Sequence, residues 1–245
     1  MKSDFDWEVD EERAATPNPK LMPLCAPIVI ETTREFPIDD NQAIRLEPGP
    51  VQVELTFLES DPPVDVRDPD SIYDFPARLI CEVADEAGSV WKMELPFAGE
   101  LFSRHVMAEH RGDGQHQPIL TPWKSLPPEL KKTWKENCVL ALWDHVDDEY
   151  LMGDIVIGGK TFEATEQGTH YQWILWLPEK KSLLVREFQW ATADLKTVPD
   201  FYFEVPLEEI CPLVRPPNPD YSQPLVFTAT SRKASPQANV KVVGR

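Results

Sequence analysis

The segment from residue 139 to 190 constrains the fold more than any other part of the chain. It reads "VLALWDH", "VDDE", "YLMGDIVI", Gly158-Gly159, "KTFEATE", "QGT", "HYQWILWL", "PEKK" and "SLLVREFQW". Apolar and polar residues alternate with period two inside the longer pieces, which marks strands, and the intervening pieces are rich in turn residues. A parallel crossover needs about a dozen residues, and none of these connections has them. The reading is therefore five successive strands in an antiparallel meander. Gly158-Gly159 suits a two-residue primed turn, which needs positive φ at both central positions.

The same period recurs upstream. "VQVELTFL" (51–58) sets Val51, Val53, Leu55 and Phe57 on one face and Gln52, Glu54 and Thr56 on the other. "ARLICEVAD" and "SVWKMEL", joined by "EAG", read as a hairpin. Two helices are expected between these strands and the meander. "PPELKKTWKENC" starts with prolines that a first helical turn tolerates, and it repeats Leu130, Trp134 and Cys138 on one stripe. Residues 98–111 form the other helix and stop at Gly112. The fold class expected is α+β: predominantly antiparallel β, a five-strand meander within a barrel or sandwich, with two inserted helices.

Residues 1–25 are acidic and broken by proline, and they read as a flexible arm. Residues 26–211 read as a single antiparallel-β-rich globular domain, and 212–245 as a Pro-rich segment with a basic C-terminal tail. The last 24 residues hold four basic and no acidic side chains, whereas the whole chain has a formal net charge of -18. The acidity therefore lies in the body. Such a charge repels phosphate backbones and anionic bilayers over the Debye range, so direct nucleic-acid or membrane binding is disfavoured. The first residues lack the basic start and apolar stretch of a secretory signal. Apolar runs such as "WILWL" fall far short of the roughly 20 residues that span a bilayer, and a cytoplasmic protein is expected.

Cys25, Cys81, Cys138 and Cys211 stand more than fifty residues apart, without a C-x-x-C pair. Zinc knuckles and dithiol redox motifs need closer spacing, so the four read as small buried apolar residues. In "LFSRHVMAEHRGDGQH", His105 and His110 lie five apart, about 140° around a helix, and cannot share a metal. His105 and Glu109 share a helical face, and His116 returns after the Gly112-Gly114 turn. These three are the candidate metal site, and ordinary helix packing is the simpler account of them. "DHVDDEY" places Asp144, Asp147, Asp148 and Glu149 at an expected turn. Trp173 and Trp176, three apart on one strand, must face opposite sides, so one face is covered by a helix or exposed.

Phosphate-loop, dinucleotide-fingerprint and nucleophile-elbow motifs are all absent, and the motifs imply no cofactor. The leading expectation is a non-enzymatic binding or regulatory protein that engages a basic protein partner through Asp144, Asp147, Asp148, Glu149, Trp173 and Trp176. The alternatives are a small-molecule-binding β-barrel and a metal-assisted hydrolase or lyase built on His105, Glu109 and His116.

Overall fold

A computed structural model describes residues 21–59, 77–95, 119–207, 211–214 and 225–245. The expected helix over 98–111 lies outside them. Among the described residues the architecture is mainly antiparallel β, with one α-helix and one 3-10 turn. This corrects the α+β expectation: a ten-residue helix decorates the sheets without forming a layer comparable to them.

Three sheets are present. In the first, β1 (Leu21–Ile30), β4 (Gly49–Glu59), β5 (Ala77–Ala84), β6 (Ser89–Leu95) and β13 (Phe227–Lys233) lie in that order. In the second, β11 (Ala191–Thr192), β9 (Lys160–Leu177), β10 (Ser182–Phe188), β12 (Phe201–Pro206) and β7 (Thr121–Pro122) form a path, and β8 (Val139–Ile157) pairs with β9. The third is small, with β14 (Val240–Gly244), β3 (Gln42–Leu46) and β2 (Arg34–Pro37). A single parallel bridge from Leu120 to Ile157 reaches across to the end of β8, and the second sheet does not close into a barrel.

Alternation explains how these sheets share one core. Val51, Val53, Leu55 and Phe57 of β4 are buried with Leu79, Cys81 and Val83 of β5, and they join Ile174, Leu183, Val185, Phe201 and Phe203 of the second sheet in one apolar cluster. The opposite face of the second sheet carries Tyr171, Trp173, Leu175, Leu184 and Phe188. That face is covered by Trp123, Leu126 and Trp134, the last from helix α1 (Pro128–Asn137). Strand β10 is consequently buried along its whole length. No helix among the described residues is long and apolar enough to cross a membrane.

The hairpin of β5 and β6 forms where expected. Asp85 closes it by accepting the N–H groups of Ala87 and Ser89 at 2.8 and 2.9 Å and the indole of Trp91 at 2.9 Å. The expected primed turn also forms: Gly158 and Gly159 have φ of 55° and 77° between paired Ile157 and Lys160. A Cβ at Gly158 would stand 2.8 Å from the Pro122 ring, so packing as well as φ demands glycine there.

The meander itself needs correction. "VDDE" and "QGT" do not reverse the chain, and the four strands they separate are two long ones, β8 and β9. The two interruptions lie opposite each other in one hairpin, with Val146 against Gly168 and Tyr150 against Glu166. The register slips between them because β8 has extra residues there, so the aspartates and the glycine make a bulge instead of two turns.

The ends of the chain depart from the tail readings as well. Strand β1 begins at Leu21, inside the segment read as an arm. It is an edge strand, where Pro23 and Pro27 are tolerated because proline has no N–H to give a further neighbour. The segment read as a basic tail supplies β13 and β14, with Phe227 and Val240 fully buried. Basic composition concealed the alternation there. Gln237 stands in for a strand neighbour, accepting the Gln52 N–H at 2.6 Å and donating to the Gln52 carbonyl at 2.9 Å.

Candidate functional site

The arm made by the middle of β8 and the first half of β9 holds Asp144, Asp147, Asp148, Glu149, Asp154, Glu163 and Glu166 against a single basic residue, Lys160. Strand β8 borders this arm. Among the described residues its outer edge meets only Leu120, at its last residue. The bulge turns Glu149, Tyr150 and Leu151 outward together, and Tyr150 and Leu151 are 55% and 66% exposed. Past the bulge, Asp154 and Val156 point outward and Ile155 and Ile157 inward.

Asp154 and Glu163 are direct cross-strand partners, and both are exposed. Like charges placed so oppose pairing by up to about 1 kcal/mol. Neither side chain has an ion pair among the described residues. The arm thus combines uncompensated carboxylates with exposed apolar and aromatic side chains.

The residues singled out from sequence are only partly brought together. Asp144, Asp147, Asp148 and Glu149 all fall on β8, at and before the bulge, and Glu149 is exposed. Trp173 is buried in the helix-covered cluster, and Trp176 is half-buried against the main core. Their opposite facing is as expected. Trp173 lies beneath α1 and presents no surface to a partner. His105, Glu109 and His116 lie outside the described residues. Among the described residues no group of three or more His, Cys, Asp or Glu is arranged to hold a metal ion.

Two buried charges went unread. On the inner face, Glu187 is 1% exposed and accepts from the Trp190 indole at 2.7 Å and from the Gln172 amide at 3.2 Å. His170, also buried, stacks on Trp190 with 5.0 Å between ring centroids. On the outer face, Arg186 pairs with Asp200 at 2.6 Å, with its guanidinium carbon 4.2 Å from the Trp123 ring centre and 4.9 Å from that of Phe188. The signal was "SLLVREFQW": a strand buried on both faces sends adjacent Arg and Glu to opposite sides, and each then needs its own partners. Both groups lie within the packing of the second sheet.

Compared with protein-family models, with curated proteins and with solved structures, the chain finds no match.

Proposed function

We propose that this chain is a non-enzymatic binding protein that engages a basic protein partner through the acidic β8–β9 arm. The observation carrying the reading is the exposed cross-strand pair Asp154 and Glu163, beside outward-facing Glu149, Tyr150 and Leu151. A lysine or arginine placed between the two carboxylates converts a repulsive contact into an attractive one. Tyr150 and Leu151 then gain cover for apolar surface, at about 25 cal/mol per Å² buried.

Retention of proteins from a native extract at stepped salt tests the reading, comparing the wild type with Glu149→Gln/Tyr150→Ser/Leu151→Ser. A partner held at low salt, released as salt rises and lost in the variant while the melting temperature stays unchanged, supports it. Retention that ignores both salt and the variant contradicts it.

A further inference from the structure

Strand β8 is 19 residues long and pairs with β9 along one side. Among the described residues its other side meets only Leu120, which forms an isolated parallel bridge with Ile157 and accepts the Gly158 N–H at 2.8 Å. The pairing stops there, since Ile119 belongs to no strand and is 85% exposed. Backbone groups alternate in direction within the plane of a sheet, so those bonded to β9 alternate with those aimed at the outer edge. The two-residue turn makes Ile157 and Lys160 a bonded pair, and Gly158 donates outward. Counting back by two, Val156 and Asp154 aim their N–H groups at the outer edge, whereas Ile155 faces its partner Phe162.

The edge strand of the first sheet is built differently. Strand β1 carries Pro23 and Pro27, which block the addition of a further strand, whereas β8 has no proline over its whole length. Its exposed acids, Glu149 and Asp154, repel a second copy of the same edge and leave the backbone donors available to a strand of opposite charge. Side chains set what that strand must carry. One of its residues continues the row that holds Asp154 and Glu163, both exposed, and the next continues the row that holds buried Ile155. The first position calls for lysine or arginine and the second for an aliphatic residue.

We propose that the outer edge of β8 over 149–156 is a strand-addition site for an extended segment of a protein partner in which lysine or arginine alternates with aliphatic residues. The inference rests on the acidic-arm reading and adds the mode of docking to it. Backbone hydrogen bonds to Asp154 and Val156 supply part of the affinity, and the alternation of the segment fixes its register.

The probe is a short peptide of alternating lysine and valine, compared with a twin N-methylated at its inner residues, which keeps the charge and side chains but loses the inner backbone donors. Both are titrated into the full chain at low salt, and hydrogen exchange is read at the Asp154 and Val156 amides. In the free chain these two amides should exchange rapidly. The unmethylated peptide should slow them by at least about tenfold, and the twin should bind at least about tenfold more weakly. Equal affinity of the two peptides, lost for both in Asp154→Asn/Glu163→Gln, would overturn strand addition and leave the acidic-arm reading standing. Failure of both peptides to bind would overturn the two together. Slow exchange in the free chain at every concentration would show that the chain itself covers the edge, and slow exchange only at high concentration that a second copy does; either overturns the proposal.

Discussion

Two pairs of acidic residues occupy the same kind of position, directly opposite each other on antiparallel strands, and the protein treats them differently. Glu54 and Glu82 are cross-strand partners on the first sheet, and Arg232 of β13 reaches both, at 2.8 and 2.5 Å. The same sheet pairs Glu94 with Arg78 at 2.5 Å and with Lys92 at 3.1 Å. Asp154 and Glu163 hold the equivalent relation on the second sheet and receive no cation from the described residues. Two of the four basic residues near the C-terminus, Arg232 and Lys233, lie on the first sheet, where Lys233 also reaches Ser89 at 2.7 Å. The acidic character of the arm is thus a matter of where compensation is placed. An uncompensated, exposed pair of like charges costs some stability.

The largest way to break the comparison is to remove the strands that carry the compensation. Deleting 222–245 takes away β13, β14, the Arg232 bridge and the buried side chains of Phe227 and Val240, and the remaining chain is expected to lose its cooperative melting transition. In the intact chain Phe227→Ala, which also removes the edge-to-face contact with Phe36, should cost about 3–5 kcal/mol by chemical denaturation. A melting temperature unaffected by the deletion would return the segment to the status of a tail.

Asp200→Asn comes next and asks whether the second sheet compensates its buried charge while leaving surface charge open. It removes the carboxylate 2.6 Å from the buried Arg186 guanidinium and should cost about 3 kcal/mol, the lower end for a broken buried pair because Asp200 keeps 26% of its side chain in solvent. A cost below about 1 kcal/mol would mean that the Asp200 carboxylate contributes little to holding the guanidinium.

The smallest effects should have opposite signs. Arg232→Gln exposes Glu54 to Glu82 and should destabilise by about 0.5–1 kcal/mol at low salt, with the loss shrinking as salt screens it. Glu163→Lys places a cation opposite Asp154 and should stabilise by about 0.2–1 kcal/mol. Parallel urea titrations of the two variants check this. Destabilisation by both would remove the contrast.

The sequence made local features legible. The Gly158-Gly159 turn, the Asp85 hairpin, the stripe of α1 and the opposite facing of Trp173 and Trp176 all follow from spacing within a few residues. Asp147, Asp148 and Gly168 misled because the residues that favour a turn also favour a bulge, and only the length of the partner strand distinguishes them. "PLVFTAT" carries the alternation of an edge strand, but the serines, prolines and basic residues around it mask the pattern. Arg232 meets Glu54 and Glu82 across more than a hundred residues. No local rule ties such positions together, so those partners follow only from the sheet order. The arm was legible as a run of acids. That Glu149, Tyr150 and Leu151 turn outward together follows from the bulge, and that Trp173 turns inward follows from the helix above it.

The most direct measurement of the central claim is a titration of the isotope-labelled chain with a lysine-rich peptide, read as amide chemical-shift changes residue by residue. The account predicts saturable shifts concentrated at 149–166, weakened by salt and abolished by Asp154→Asn/Glu163→Gln, with Glu54 and Glu82 unmoved. Equal shifts at both acidic pairs, or none on the arm, would contradict it.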